Sequence, residues 1–346
     1  RISPDYPVYL DRFLEGAIES DVDALCDGEE VYIGGVLEHI EEAGIHSGDS
    51  ATCIPPFSFS DSLVERLRET TRRIALALGV RGLVNVQYAI KGETIYVIEA
   101  NPRASRTVPF ISKATGVPLA KCAARIMAGE KIADLHLPRD SRRLDWFCMK
   151  EAVMPWGRFP GAEVILGPEM KSTGEVMGIA KSYPEAYAKT QLAIDYDMPS
   201  PSQGKVFVSV CDRDKRHILS VARILRYLGF DIVSTEGTAR VLRGGNVTCE
   251  TVNKIGGPHP NIGDMIANGE ISLIINTPYG PGSRGDGYLL RTEAVRRGVT
   301  CVTALSGANA YVSAIEAVRE ERAGTGSNNE VGMSAIALQD LPQYDV

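Results

Sequence analysis

The sequence predicts a protein of mixed α/β and α+β class, in which an antiparallel first part precedes a Rossmann-like, doubly wound parallel sheet. Two apolar stretches, 83–90 and 95–100, flank a short polar segment with a glycine, which is the pattern of an antiparallel hairpin. From residue 205 onward, short apolar strands alternate with amphipathic helices, as in a parallel sheet covered on both faces. The segment 198–204, rich in proline and serine, separates the two patterns and predicts a domain boundary.

The chain has 346 residues, enough for two or three domains with separate cores. We expect a first domain at 1–130, a connector that packs on it at 131–202, and a last domain at 203–346. The expected strands lie at 8–10, 31–33, 83–90, 95–100, 206–210, 231–234, 271–276 and 300–304. The expected helices lie at 61–78, 117–127, 183–192, 215–228 and 293–297. Within the connector, 154–156 and 161–168 are expected to be irregular.

Composition and charge exclude several functions. The chain carries 37 Lys and Arg against 44 Asp and Glu, a net charge of -7, which argues against a general nucleic-acid binder. No apolar run approaches the roughly 20 residues of a membrane span, and no signal peptide is visible, so we expect a cytoplasmic protein without a membrane partner. The 7 cysteines show neither C-x-x-C nor zinc-site spacing and are expected to be reduced, packed thiols. Because the chain begins with Arg1, we expect it to be part of a longer polypeptide.

Oxygen-bearing side chains in the predicted hairpin indicate a metal and phosphate site. Glu99 and Asn101 are two positions apart, so on a strand both side chains lie on one face. Gln87 lies on the partner strand, and Arg103 follows the second strand. Carboxylate and amide oxygens suit Mg²⁺ shared with substrate phosphates, and an arginine can hold a phosphate through two hydrogen bonds. Such a site suits phosphoryl transfer, and the alternative is a hairpin with a solvated polar face.

The length of the hairpin loop decides whether these side chains meet. With a three-residue loop at 92–94, a common class, Gln87 opposes Glu99 and the oxygen-bearing side chains cluster. With a two-residue loop, Gln87 opposes Ile98 instead and the cluster is lost. We therefore expect the three-residue loop.

Four runs of sequence resemble a known family. They are EHIEEAGIHSGDS at 38–50, IEANPRASRTVPF at 98–110, SKATGVPLA at 112–120 and LGPEMKSTGE at 166–175. These runs resemble the ATP-grasp module of the carbamoyl-phosphate synthetase large subunit. The similarity extends over nearly the whole chain, more weakly after residue 205. The resemblance implies the carboxyl-terminal third of that subunit, in which a truncated ATP-grasp module precedes a methylglyoxal-synthase-like (MGS-like) regulatory domain.

The resemblance also implies roles at a nucleotide site. In the family, the residues that match Gln87, Glu99 and Asn101 hold a divalent metal on the nucleotide phosphates, and the first two also contact ATP. The other ATP contacts match Arg12, Leu14, Glu19, Gly44, Ile45, His46 and Ser47. Arg103 matches a residue that helps to hold the carbamate or the transferred phosphoryl group. Without the resemblance, Glu19 would be a solvated acid in an acidic run, and Arg12 and His46 would be surface residues.

The reaction implied by the resemblance is the ATP-dependent phosphorylation of carbamate, which yields ADP and carbamoyl phosphate. Mg²⁺ or Mn²⁺ accompanies ATP in the family, and K⁺ is a further ion that it allows. The implied partners are the rest of the large subunit, which makes carbamate, and a glutaminase small subunit that supplies ammonia. Because the strands and lid lysines expected before Arg1 are missing, we expect the chain alone not to turn over.

The last domain resembles the family's regulatory domain, which binds a purine or pyrimidine nucleoside monophosphate. Its phosphate and base contacts match Lys215, Thr235, Thr238, Lys254, Asn276 and Thr277. Pro278 stands where the family has a hydroxyl residue, so the identity of the effector stays open. Some members also bind ornithine near the domain junction, at positions that match Glu41, Asp49, Glu151 and Thr303. The alternatives are ordinary loop residues for the first set and a plain polar interface for the second.

Two further interpretations differ in function. One treats the chain as a sensor of nucleoside monophosphates with a vestigial ligase half, which nucleotide titrations would separate from a ligase. The other is a different ATP-grasp ligase, such as a biotin carboxylase, and it conflicts with the last domain and with the long matching runs.

Overall fold

The computed structural model describes residues 12–139, 144–158, 164–194, 198–277, 286–325, 333, 335–341 and 343–344. Within these ranges the chain forms two β-sheets with helices packed against them. The strand expected at 8–10 and Pro278 lie outside the described residues. No helix in the described part of the chain is long and apolar enough to cross a membrane.

The first sheet is antiparallel, with the strand order β5-β4-β1-β2-β3-β6-β7. Its strands are β1 (Ile18–Cys26), β2 (Val31–Glu42), β3 (Thr52–Ile54), β4 (Gly82–Lys91), β5 (Thr94–Asn101), β6 (Phe147–Val153) and β7 (Gly174–Ala180). The helices in this part of the chain are α1 (Asp61–Ala77), α2 (Thr107–Thr115), α3 (Leu119–Met127) and α4 (Tyr183–Ala193). In α1, Ser60 accepts a hydrogen bond from the Leu63 amide and so caps the first turn. Leu63, Leu67 and Ala75 recur at helical spacing and are buried, which confirms the helix expected there.

The connector is more regular than expected. β6 and β7 lie within 131–202 and complete the first sheet, and neither strand was expected from the sequence. β6 pairs with β3 on one side and with β7 on the other. Lys150 and Glu151 are both buried in β6 and interrupt its apolar pattern, which is why the sequence hides the strand. The helix expected at 183–192 is confirmed as α4. The domain boundaries stay predictions.

The second sheet is parallel, as predicted, with the order β10-β9-β8-β11-β12. Its strands are β8 (Lys205–Ser209), β9 (Ile232–Ser234), β10 (Glu250–Thr251), β11 (Ile271–Asn276) and β12 (Thr300–Val302). Its helices are α5 (Ile218–Tyr227), α6 (Glu236–Gly244), α7 (Ile262–Ala267), α8 (Asp286–Arg297) and α9 (Leu305–Thr325). Leu273, Ile274 and Ile275 of β11 are all fully buried, because helices cover both faces of a parallel sheet. The sequence predicted only the last turn of α8 and missed α6, α7 and α9.

The two sheets share an apolar core. One cluster of buried side chains contains Ile40 and Met149 of the first sheet, Val208 and Leu273 of the second, and Tyr311 of α9. α4 and α9 pack against each other at this junction. A ligand bound at the junction would therefore contact residues from both parts of the chain.

Candidate functional site

A β-bulge, not a longer loop, brings Gln87 opposite Glu99. Lys91 pairs with Thr94, so the hairpin loop has two residues and the expected three-residue loop was wrong. Gly92 has a φ of 58°, a conformation that glycine adopts without strain. The register then shifts by one residue between Tyr88 and Gln87, and Gln87 pairs with Glu99. The predicted pairing is confirmed, although by a different local structure.

Two rows of polar side chains cross β1, β4 and β5. One row pairs Asp21 with Gln87 and Gln87 with Glu99. The next pairs Asp23 with Asn85 and Asn85 with Asn101. Directly paired residues in an antiparallel sheet lie on the same face, so both rows point to one side of the sheet.

All of these side chains except that of Asp23 line a cavity of about 590 Å³. Nine of the predicted nucleotide or phosphate residues line it: Glu19, Gly44, Ile45, His46, Ser47, Gln87, Glu99, Asn101 and Arg103. Arg12 and Leu14 are outside this lining; Arg12 is exposed, and the carbonyl of Leu14 accepts a hydrogen bond from the Ala17 amide. The cavity therefore gathers most of the predicted site from β1, β4, β5 and the loop after β2.

Hydrogen bonds orient the side-chain amides of Gln87 and Asn101, two of the three predicted metal ligands. Gln87 Nε2 donates to Ser47 Oγ over 2.9 Å, and Asn101 Nδ2 donates to Glu99 Oε1 over 2.7 Å. Because the nitrogen of each amide donates, the amide oxygens stay available as ligands. No group of three or more His, Cys, Asp or Glu side chains suited to a metal occurs among the described residues. The residues therefore fit an oxygen-ligated cation that takes part of its coordination shell from phosphate oxygens.

The loop at 44–48 closes one side of the cavity. Its Gly44 has a φ of 102°, and the Gly44 amide points to the carboxylate of Glu19 at 3.4 Å. The His46 amide donates to the carbonyl of Gly167, and His46 Nδ1 accepts from the Gly48 amide at 3.0 Å. These bonds hold backbone N–H groups and the Ser47 hydroxyl at the edge of the cavity.

Buried ionisable groups lie on the floor of the cavity and directly behind it. Glu19, Asp21 and Asp23 alternate along β1 and are only 5%, 1% and 0% exposed, so the solvated acidic run considered above is wrong for these residues. Asp23 accepts hydrogen bonds from the hydroxyls of Ser105 and Thr107, which tie the segment after β5 to β1. Burial raises the pKa of Asp23 to about 6 and also raises the pKa of Glu19.

Sequence reasoning missed several residues of this floor. Five of them line the cavity, namely Asp21, Asn85, Ser105, Thr107 and Lys150, and Asp23 lies behind it, where it accepts hydrogen bonds from Ser105 and Thr107. The spacing of two between Glu19, Asp21 and Asp23 could have indicated a shared site, because residues two apart on a strand lie on the same face. Asn85 shares that spacing with Gln87 on β4. Lys150 had no comparable signal, since β6 was not recognised as a strand.

A second cavity of about 280 Å³ lies at the junction of the two sheets. Glu41, Asp49, Glu151 and Thr303, the predicted ornithine residues, all line it. Burial and mutual repulsion raise the pKa of Glu41, and burial raises the pKa of Glu151. The cavity thus holds acidic groups whose ionised forms would be stabilised by a cation.

A third polar cluster lies at the carboxyl ends of the parallel strands. Thr235 Oγ1 and Ser209 Oγ are 2.9 Å apart, and Thr277 Oγ1 accepts from the Cys211 amide at 3.0 Å. Asn276 Nδ2 donates to the carbonyl of Ser209. Ligands of open α/β sheets bind at this end of the strands.

The remaining predicted effector residues extend the cluster. Thr238 Oγ1 accepts from the Val210 amide at 3.3 Å, and Lys215 Nζ pairs with Asp212 beside the first turn of α6. Lys254 follows β10 in a loop. Arg291, only 1% exposed, donates to Asn276 Oδ1 over 3.0 Å and was not predicted.

Comparison with known proteins matches both parts of the chain. Residues 4–135 match the family model of the carbamoyl-phosphate synthase L chain, ATP binding domain, and residues 217–303 match the MGS-like domain. The carbamoyl phosphate synthase large chain of Methanothermobacter thermautotrophicus is 53% identical over 99% of this chain and 31% of its own length. The C-terminal section of the large chain of Methanocaldococcus jannaschii is 48% identical over 92% of this chain and 53% of its own length. Among solved structures, a bacterial biotin carboxylase domain covers 52% of this chain and 48% of its own, with 16% identity and a TM-score of 0.43, too weak to guide interpretation.

The matches identify the family and show what share of each relative the chain covers. The large chain of Archaeoglobus fulgidus is also similar, 51% identical over 93% of this chain and 30% of its own length. The chain thus spans about a third of the full-length relatives. Because it matches the ATP binding domain of the L chain followed by the MGS-like domain, the chain belongs to the carbamoyl phosphate synthase large-chain family.

Proposed function

We propose that the first cavity binds a Mg²⁺- or Mn²⁺-nucleotide and supports phosphoryl transfer to carbamate. The observation that carries this proposal is the pairing of Gln87 with Glu99, next to Asn101, at the wall of a cavity of about 590 Å³. In the proposed reaction a carbamate oxygen attacks the γ-phosphorus of ATP and the bond to the ADP oxygen breaks, giving carbamoyl phosphate and ADP. Such a reaction depends mostly on positioning and on neutralising charge.

Each proposed role follows from the local chemistry. Gln87, Glu99 and Asn101 would hold the cation, which supplies charge neutralisation on the phosphate oxygens when bound. Glu19, beside the Gly44 amide, would accept hydrogen bonds from the ribose hydroxyls. Arg103 is exposed and now donates to the carbonyl of Ala104, so its guanidinium would turn to a phosphoryl or carbamate oxygen. K⁺ has no assigned ligands in this proposal.

The other two sites would regulate this reaction. The cluster at the ends of the parallel strands offers hydroxyl, amide and cationic groups that suit a nucleoside monophosphate. The acidic cavity at the junction has a volume and charge that suit a small cationic ligand such as ornithine. Arg12 and Leu14 would complete the nucleotide pocket once a nucleotide is bound.

The whole enzyme would need more than this chain. We propose that the rest of the large chain supplies carbamate, that a glutaminase small subunit supplies ammonia, and that the enzyme works in the cytoplasm. The chain alone is then expected to give no ATP from ADP and carbamoyl phosphate. The second candidate function, a sensor of nucleoside monophosphates, is favoured by the polar cluster around Thr235, Asn276 and Thr277.

Calorimetric titration with Mg-ADP tests the proposal. Glu99→Gln should weaken Mg-ADP binding at least tenfold and leave metal-free ADP binding unchanged, because the variant removes only a charged ligand. Glu93→Gln, in the turn of the same hairpin, is the matched control and should bind as the wild type does. Equal Mg-ADP affinity in Glu99→Gln and the wild type would contradict the ligase site. Binding of a monophosphate alone, lost in Lys254→Ala, would favour the sensor.

A further inference from the structure

Lys150 is a buried cation that few protein groups satisfy. It lies on β6, is 2% exposed, and lines the same cavity as Gln87 and Glu99. Its Nζ donates one hydrogen bond, to the carbonyl of Ser47 at 3.3 Å. Within the described ranges, no carboxylate oxygen comes within 4.0 Å of this Nζ. An ammonium group has three donors, and an unpaired buried cation is costly, so the arrangement suits a missing acceptor.

The neighbours of Lys150 place that acceptor beside the proposed metal ligands. Ser47 contacts both Lys150 and Gln87: its carbonyl accepts a hydrogen bond from Lys150, and its hydroxyl accepts one from Gln87 at 2.9 Å. Burial lowers the pKa of Lys150, and Glu175, Glu151, Asp21 and Glu41 partly oppose this effect from a distance. A negatively charged ligand in the cavity would favour the charged ammonium further.

The strand geometry directs Lys150 and its neighbour to different cavities. Successive side chains on a strand point to opposite faces, and Glu151 lines the junction cavity while Lys150 lines the nucleotide cavity. Arg103 and Arg106 also line the nucleotide cavity, but both are exposed. Salt screens a buried charge much less than an exposed one, so Lys150 would act on a bound anion more strongly than either arginine.

We infer that Lys150 is an anion-binding residue of the nucleotide cavity, whose free N–H donors hold a small oxyanion next to the metal ligands. This inference rests on the proposed function. Two sources of the anion share this chemistry: the γ-phosphoryl group of the nucleotide and the carboxylate-like group of carbamate. In either case Lys150 transfers no proton and stabilises negative charge on oxygen as the phosphoryl group moves.

Stability measurements separate a binding role from a structural one. If Lys150 binds a ligand, Lys150→Met should keep or raise the melting temperature, because it replaces an unpaired buried charge with an apolar side chain of similar volume. If Lys150 mainly supports the fold, the melting temperature should fall by several degrees. Lys91→Met, at an exposed position on β4, is the control for the loss of one positive charge.

Calorimetry then tests binding in the wild type, Lys150→Met and Lys150→Arg. Mg-ADP should bind all three within about threefold. Inorganic phosphate and carbamoyl phosphate, added to the Mg-ADP complex, should bind Lys150→Met at least tenfold more weakly than the wild type, with partial recovery in Lys150→Arg. A larger loss for Mg-AMP-PNP than for Mg-ADP would identify the γ-phosphoryl group as the partner. An unchanged Mg-AMP-PNP affinity, with weaker carbamoyl phosphate binding, would identify the carbamate side.

The two possible failures are distinguishable. If the wild type binds Mg-ADP and Lys150→Met binds every anion as tightly as the wild type, the inference is overturned and the proposed function survives. If the folded wild type binds no Mg-ADP, the proposed function fails in this chain. Phosphate titrated alone then still tests Lys150, and equal affinity in wild type and Lys150→Met overturns the inference.

Discussion

The two sheets build polar sites in different ways. In the antiparallel sheet, side chains on β1, β4 and β5 meet because they pair directly across neighbouring strands. In the parallel sheet, hydroxyls and amides meet because β8, β9 and β11 end at the same edge. The first kind of site is set by register and is visible as a spacing of two in the sequence. The second is set by topology and becomes visible only when the strand order is known.

The two sites also differ in charge. The cavity proposed to bind the nucleotide is lined by buried Glu19, Asp21 and Lys150 and is backed by buried Asp23, whereas the strand-end cluster relies mainly on neutral hydroxyls and amides. Buried ionisable groups couple stability to pH, and neutral groups do not. The predictions below use this difference, from the largest expected effect to the smallest.

The pH dependence of stability should come largely from the antiparallel region. The pKa of Asp23 rises from 3.8 to about 6 on folding, so the folded chain binds more protons in this window. The free energy of unfolding should therefore fall as pH rises from about 4 to about 6, by roughly 3 kcal/mol from this group. Asp23→Asn should flatten that part of the profile, as measured by urea unfolding at several pH values. An unchanged slope would mean that Asp23 does not carry the effect.

The same substitution in the two regions should have unequal effects. Thr107→Val removes a hydrogen bond to the buried carboxylate of Asp23 and should cost about 2 kcal/mol of unfolding free energy at pH 7. Thr238→Val removes only a bond to the Val210 amide and should cost about 1 kcal/mol. Chemical denaturation measures both. Equal losses, or a larger loss for Thr238→Val, would remove the contrast between charged and neutral sites.

Arg291 tests whether the strand-end cluster also needs a buried charge. Its donation to Asn276 Oδ1 orients that amide, so Arg291→Met should weaken binding of a nucleoside monophosphate about tenfold, equivalent to about 1.4 kcal/mol. Arg291→Lys should lose less, because it keeps the charge. Titration with uridine and inosine monophosphates checks this, and unchanged affinity for both in a folded variant would speak against the role.

The smallest effect is expected where the two regions meet at the surface. Arg213 pairs with Glu15 at 2.9 Å and with Glu42 at 3.1 Å, and these groups are partly exposed. Arg213→Ala should therefore cost less than about 1 kcal/mol, and the cost should shrink in high salt. Arg240→Ala, at an exposed intrahelical pair, is the control. A loss of several kcal/mol would show that the bridge is a main support of the junction.

The sequence predicted the parallel sheet better than the antiparallel one: β8, β9, β11 and β12 were expected, whereas β1, β3, β6 and β7 were missed. In the antiparallel sheet, the hairpin and α1 were recognisable because side-chain periodicity is local, whereas the pairing of Gln87 with Glu99 was predicted from a loop length that the structure does not have. The bulge beside Tyr88 was not predicted, because it shifts the strand pairing by one residue and leaves the apolar pattern unchanged. Lys150 and Arg291 are charged residues that only tertiary packing buries, and no local pattern distinguishes them from surface cations.

A crystal structure of the chain with Mn²⁺ and ADP tests the metal site directly, through the anomalous signal of the metal. The account predicts one strong peak within coordination distance of side-chain oxygens from Gln87, Glu99 and Asn101, next to the phosphates of ADP. Ordered ADP with the peak elsewhere, or with those three side chains turned away from the metal, would contradict it.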